Sequence, residues 1–197
     1  MIAKNIRLIH QGNYLSSYEI DYLDENTGII RPYEIVSKQG SRFNNSAPLT
    51  LETLGKKVPA VMLVVLNKDH SKMLLCKEFR LGVNCYVYNL TAGLIDPGET
   101  PEEAAKRELF EETGLTLSSI IRKLPSAYTC APVTDDFITT FICEATGEIR
   151  NSDNPYEEIH ATWHTKSEVY KMVTSNKYAF SSQAQAFAYM WSTSFIS

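Results

Sequence analysis

From Gly93 to Leu115 the chain reads G-L-I-D-P-G-E-T-P-E-E-A-A-K-R-E-L-F-E-E-T-G-L, and the rest of the sequence is read outward from these residues. Thr100 offers an N-cap hydroxyl, Pro101 has the fixed φ suited to a first helical position, and Glu103 completes a capping box. Good helix formers follow from Ala104 to Leu109, and Gly114 stands where a left-handed residue ends a helix, so the pattern predicts a helix over 101–113. At 100° per residue Glu108, Glu111 and Glu112 share one arc, while Ala105 and Leu109 lie on another that can pack into a core. Like charges three and four residues apart cost about 0.2–0.5 kcal/mol per pair. The arc is therefore either a solvated acidic face or a site that takes a cation, and hard oxygen ligands select Mg²⁺ or Mn²⁺.

The chain has 197 residues, 44% of them hydrophobic, enough for one well-buried core and a small extra subdomain. A net charge of −4 argues against a nucleic-acid or anionic-membrane partner and favours a small substrate. Four cysteines, at 76, 85, 130 and 143, lie in apolar or strand-like stretches without C-x-x-C spacing, which predicts buried free thiols in a reducing compartment and disfavours zinc. The N-terminus lacks an apolar core of the secretory kind, and the longest oily run, Val58 to Leu66, falls short of a membrane span. The expected location is cytoplasmic.

Residues 5–38 have strand character: Tyr18, Ile20 and Tyr22 alternate, D-E-N-T-G turns at 24–28, and 29–36 returns as the second arm of a hairpin. A polar connection, 38–48, places a boundary near residue 50, giving an N-terminal β subdomain over 1–50 and a larger domain over 51–197. Strands are expected at 58–66, 72–80, 85–90, 92–95, 119–128, 137–145 and 156–164, and helices at 167–174 and 181–193. Mixed strands with three helices fit an α/β/α sandwich. His160 and His164 are four apart, but on a strand they read as structural histidines and not as metal ligands.

Gly93, five residues, Glu99, seven residues, then Arg107-Glu108-Leu109-x-Glu111-Glu112-x-Gly114-Leu115 resembles the Nudix box of nucleoside-diphosphate-X hydrolases at every specified position. Chance would produce it on the order of once in a billion placements at ordinary residue frequencies. The resemblance implies a Nudix-type α/β/α fold with a loop-helix-loop. It implies a divalent metal held by Glu108, Glu111 or Glu112 and a backbone carbonyl near Ala92, and hydrolysis of a pyrophosphate link. Gly93, Glu99, Arg107 and Gly114 would be the structural members of the box, with Arg107 and Glu99 joining loop to helix.

Beyond the box, A-G-L-I-D-P-G-E-T-P at 92–101, E-F-R at 78–80 and R-P-Y-E-I-V at 31–36 look like the ADP-ribose and ADP-sugar pyrophosphatase branch. That likeness implies a nucleotide-sugar substrate, most readily ADP-ribose cleaved to AMP and ribose 5-phosphate. It also implies a homodimer whose N-terminal hairpins contribute to the partner's adenine pocket. Tyr33, Glu34 and Tyr14 are the candidates for adenine contact, although Tyr14 is equally readable as an ordinary strand aromatic. Arg80 ends a strand and is either a phosphate clamp or half of a surface ion pair. The general base is implied to come from the loop before the last strand, with Glu157 the first candidate, Glu158 the second and Glu111 of the box their rival. Asp135 and Asp136 are possible pocket groups. Asn89, Thr91 and Ala131-Pro132-Val133 depart from the branch, which leaves another nucleotide sugar, a dinucleotide or a non-catalytic nucleotide-sugar sensor as alternatives.

Overall fold

The computed structural model describes residues 1–43, 45–56, 59–150, 152 and 158–193. The chain divides into two compact units, one formed by 1–60 with 126–138 and the other by 61–125 with 139–197.

In the first unit β1 (Ile2–Gln11), β2 (Ser16–Leu23) and β3 (Ile30–Ser37) form an antiparallel sheet in that order. Two of these are the expected arms, with Leu23 paired to Ile30 across the turn; β1 adds a third strand, paired to β2 with two register shifts. Alternation on β2 buries Tyr18 and Ile20 with Ile35 of β3 and Leu49 of the following connection. The Tyr18 hydroxyl donates to Gln39 O at 2.7 Å and accepts from Leu49 N–H at 3.1 Å, which ties the polar connection down to the sheet. In the same unit β9 (Ala127–Tyr128) pairs with the start of β10 (Phe137–Thr146), and Val36 N–H donates to Val133 O at 2.9 Å.

The second unit holds most of an eight-stranded sheet of path β11-β5-β4-β10-β8, made of β11 (Ile159–Thr165), β5 (Lys72–Arg80), β4 (Pro59–Leu66), β10 and β8 (Thr116–Lys123). Short strands β6 (Cys85–Asn89) and β7 (Thr91–Leu94) pair with β5 and β4. The expected strand over 119–128 is therefore two, β8 and β9. Val61, Leu63 and Val65 of β4, Leu74 of β5, and Phe141, Cys143 and Ala145 of β10 point to one face. There they bury Ala104, Ala105 and Leu109 of helix α1 (Pro101–Thr113), with Ala161 and Trp163 packed alongside. The alternate residues serve the other face, where Tyr88 stacks on Phe180 and meets Tyr178 and His164 edge-on, beside α2 (Lys166–Val173) and α3 (Ser182–Ser192). This is the expected three-layer arrangement, with the small antiparallel sheet added at the N-terminus. Helix α1 begins on the expected cap, Thr100, and α2 and α3 begin on Thr165 and Ser181. No helix among the described residues is long and apolar enough to cross a membrane.

The cysteine expectation needs correction. All four are free, but only Cys76 and Cys143 are buried; Cys85 and Cys130 are exposed, because they stand at a strand start and in a surface loop. His164 is half-buried with an Nε2 that has no hydrogen-bond partner among the described residues, and burial pushes its pKa down.

Candidate functional site

The loop before α1 is a tight turn. Glu99 N–H donates to Asp96 O at 3.0 Å, Pro97 takes the second position, and Gly98 at the third has φ 87°, the value a type II turn demands there. Turned back, Glu99 Oε2 accepts from Asp96 N–H at 3.0 Å and faces the helix. Arg107 grips it with both forks, Nε to Oε1 at 2.9 Å and Nη2 to Oε2 at 2.8 Å. The same guanidinium donates from Nη2 to Leu94 O at 2.9 Å, and from Nη1 to Glu108 Oε1 at 2.8 Å and Glu111 Oε2 at 3.1 Å. One side chain thus joins β7, the turn and two of the arc carboxylates. Arg107 holds the Glu99 carboxyl below its ordinary 4.5, and Glu99 in turn raises the pKa of Arg107.

Among the arc carboxylates Glu108 has 14% of its side chain exposed, whereas Glu111 is open at 57%. A Cβ on Gly93 would stand 1.9 Å from Glu108 Cδ, so the carboxylate occupies the space directly over the backbone of β7, next to Ala92. Glu112 lies toward β5: the Cys76 thiol is pushed up to about 12, first by burial and then by the charge of Glu112. The donor set is oxygen-only and anionic, which fits a hard divalent cation. Among the described residues no three His, Cys, Asp or Glu side chains form a ready-made cage. Arg107 Nη1 already holds one oxygen each of Glu108 and Glu111, so a cation drawn to them competes with that guanidinium.

The remaining candidates of this unit are placed as follows. Arg80 pairs with Glu78 at 2.9 Å near the end of β5. Glu158 accepts from the Tyr86 hydroxyl and lies 3.5 Å from His160 Nε2, on the side of β11 away from Ala161 and Trp163, the residues packed with the α1 core. The Tyr86 hydroxyl holds the Glu158 carboxyl below its usual value. Glu157 lies outside the described residues.

In the N-terminal unit a cavity of about 280 Å³ is lined by Tyr22, Tyr33, Tyr128, Leu54 and Asp135, above Ile20 and Ile35. Two of its aromatic walls are fixed by their hydroxyls: Tyr33 donates to Pro132 O at 2.6 Å and Tyr128 to Gly55 O at 3.0 Å. Asp135 is 5% exposed; its Oδ2 accepts from Gln39 Nε2 at 3.1 Å and its Oδ1 has no partner among the described residues. Asp136 pairs with Lys38 at 3.1 Å. Tyr14 packs edge-on against Phe43 at 5.0 Å and Glu34 is exposed on β3; neither lines the cavity. The sequence brought out Tyr33 and Asp135 but not Tyr128 or Gln39, whose roles come from residues 126–138 folding onto a sheet about a hundred residues earlier in the chain.

Residues 56–184 match the model of the NUDIX domain. The chain is 33% identical over 88 residues to an ADP-ribose pyrophosphatase of Bacillus subtilis (strain 168), spanning 45% of this chain and 47% of that protein. It is 36% identical over 107 residues to an ADP-sugar pyrophosphatase of Mus musculus, spanning 54% and 44%. It is 31% identical over 124 residues to the NAD-capped RNA hydrolase NPY1 of Saccharomyces cerevisiae (strain ATCC 204508 / S288c), spanning 61% and 31%. The chain thus covers less than half the length of each of these relatives. A crystal structure of an ADP compounds hydrolase superposes with a TM-score of 0.73 over 98% of this chain and 92% of that one, at 19% identity, a likeness of fold. The domain match spans well over half of the chain and takes in the whole loop and helix that Arg107 ties together, so this chain belongs to the NUDIX domain family.

Proposed function

We propose that the chain is a metal-dependent hydrolase of the pyrophosphate bond in nucleoside diphosphate sugars, acting on ADP-ribose to give AMP and ribose 5-phosphate. The observation that carries this reading is the all-oxygen arc of Glu108, Glu111 and Glu112, held against β7 and the D-P-G-E turn by Arg107. Binding of a neutral ligand would not require such a cluster, whereas a pyrophosphate brings dispersed negative charge that only an intervening cation can reconcile with it. A bound Mg²⁺ or Mn²⁺ would supply that charge neutralisation and make water more acidic at neutral pH. Glu108 and Glu112 would hold the cation, with the Ala92 carbonyl beside them, and Glu111, being exposed, is free to leave Arg107 and join.

The chain's own part in the chemistry is then positioning and proton transfer. Water attacks one phosphorus, the bridging P–O bond breaks, and a carboxylate takes the water's proton. Glu157 is the proposed base, because the Glu158 carboxylate is already engaged by Tyr86 and Glu111 is needed at the cation. The cavity of the N-terminal unit, with the fixed Tyr33 and Tyr128 rings and Asp135, is the proposed seat of the nucleobase; stacking on such rings contributes about 1–3 kcal/mol per base in nucleic-acid complexes. Glu34, Tyr14, Asp136 and Arg80 remain candidates for further substrate contact.

Dinucleotide substrates form a second reading, favoured by the likeness to an NAD-capped RNA hydrolase and by the Ala131-Pro132-Val133 departure. A panel of ADP-ribose, other nucleoside diphosphate sugars, NAD and NAD-capped RNA, scored for mononucleotide release with Mg²⁺ and with excess chelator, tests both. ADP-ribose turnover that chelator abolishes is the expected result. Faster cleavage of NAD would move the assignment to dinucleotides, and no turnover of any member would leave a binding protein.

A further inference from the structure

Helix α1 ends at a place that ought to be unfavourable. The C-terminus of a helix is the negative end of its dipole, the last turn of α1 contains no basic residue, and Glu111 and Glu112 both fall in that turn. Within the helix Arg107, a turn earlier, reaches Glu111 at 3.1 Å, but the last turn itself supplies no basic side chain to the helix end. The compensation comes from 36 residues further along the chain. After β10 the backbone turns at Gly147, against Gly114 and Leu115, Ile149 packs on the α1 core, and Arg150 crosses the helix end. Its N–H donates to Thr113 O at 2.9 Å, its guanidinium lies over the Phe110 ring at 4.8 Å, and Nη2 reaches Phe110 O at 3.5 Å. The side chain runs through the space a Cβ on Gly114 would need: that atom would be 2.3 Å from Arg150 Cγ. Gly114 therefore serves twice, supplying the left-handed cap at φ 75° and the slot for the arginine.

We propose that Arg150 is a positioning residue for the cation site: it neutralises the negative end of α1 and pins the turn that carries Glu111 and Glu112 before any cation binds. The proposal rests on the reading of those carboxylates as cation ligands. Its physical content is preorganisation. With Arg150 in place the turn is formed in the free protein; without it, cation binding must first restore the turn, and affinity falls by that cost.

The test measures Mn²⁺ affinity by titration calorimetry and amide hydrogen exchange of residues 110–115, in the metal-free and Mn²⁺-saturated protein. Arg150→Ala is expected to weaken Mn²⁺ binding about 10-fold, the scale at which outer-shell partners act on metal affinity. It should also speed exchange in the metal-free state, with the difference closing at saturating Mn²⁺. Arg150→Lys should recover most of the affinity and Arg150→Met little, since Met keeps the packing over Gly114 and Phe110 without the charge. As a control for general destabilisation, Val169→Ala, in the buried face of α2, should leave Mn²⁺ affinity within about two-fold. Unchanged affinity in Arg150→Ala, or a loss no larger than that of Val169→Ala at equal loss of Tm, overturns the proposal. If Arg150→Ala does not fold, the Lys and Met variants decide it, and equal affinity in those two overturns it. A wild type that binds no Mn²⁺ overturns the carboxylate site, and the role of Arg150 with it.

Discussion

Arg107 makes five hydrogen bonds that reach three carboxylates and a backbone carbonyl, and Glu108 and Glu111 of the arc are both among its partners. That separates the candidate bases. Glu111 sits on a rigid helix and is bound by Arg107, and in the proposed site its lone pairs would be shared between Arg107 and the cation; a base on another segment would be free to act only on the water. We expect Glu157→Gln to lower kcat by about 10² to 10⁴ at unchanged Mn²⁺ affinity, the range for removing a general base. Glu111→Gln should weaken Mn²⁺ binding as well as turnover. Steady-state kinetics beside metal titration checks both, and a Glu157→Gln enzyme with near wild-type kcat would return the role to Glu111.

At the scale of elements, the site is a strand, a turn and a helix in fixed relation. The turn is locked by the Asp96–Glu99 bonds, and the helix by its capping box and the core contacts of Ala105 and Leu109. Strand and helix side chain meet tightly where Glu108 lies over Gly93. Gly93→Ala puts a Cβ 1.9 Å from the Glu108 carboxyl carbon, and the side chain must yield because the backbone cannot. Since only the end of a flexible side chain moves, the fold should survive with a Tm loss of a few degrees, about what ~1 kcal/mol produces in a domain of this size. Displacing Glu108 by about an ångström should still lower kcat/KM about 10²-fold. Thermal melts and kinetics on the same preparation check this, and full activity in the variant would remove Glu108 from the site.

In the N-terminal unit Leu8, Ile9, Leu15, Ile29, Ile30 and Tyr33 are each more than two-fifths exposed, and β1 is an edge strand of its sheet. Exposed edges and apolar patches of this kind are usually covered in the working assembly. We expect a homodimer joined through this unit. Light scattering at assay concentration should give twice the 22.2 kDa chain mass, and Ile9→Lys with Ile30→Lys should give monomers. A monomeric, fully active wild type would refute the dimer.

The box helix, its caps and the acidic arc could be read from residues 93–115 because each depends on neighbours within one or two turns: a capping box spans four residues, a type II turn four, and a helical face repeats every 3.6. Strand alternation marked β2, the turn at 24–28 marked β3 as its return arm, and the oily run marked β4, for the same reason. What lay beyond the sequence depends on pairs far apart in the chain. No local pattern links Arg150 to Gly114, Tyr33 to Pro132 or Gln39 to Asp135, and each of these pairs closes a loop whose ends meet only when the sheets form. Nor could the exposure of Cys85 and Cys130 be told from their apolar neighbours, since burial is decided by what packs on a strand and not by its composition. Local chemistry thus determined the acidic loop-helix and its family, while the long-range packing decided which distant residues meet it.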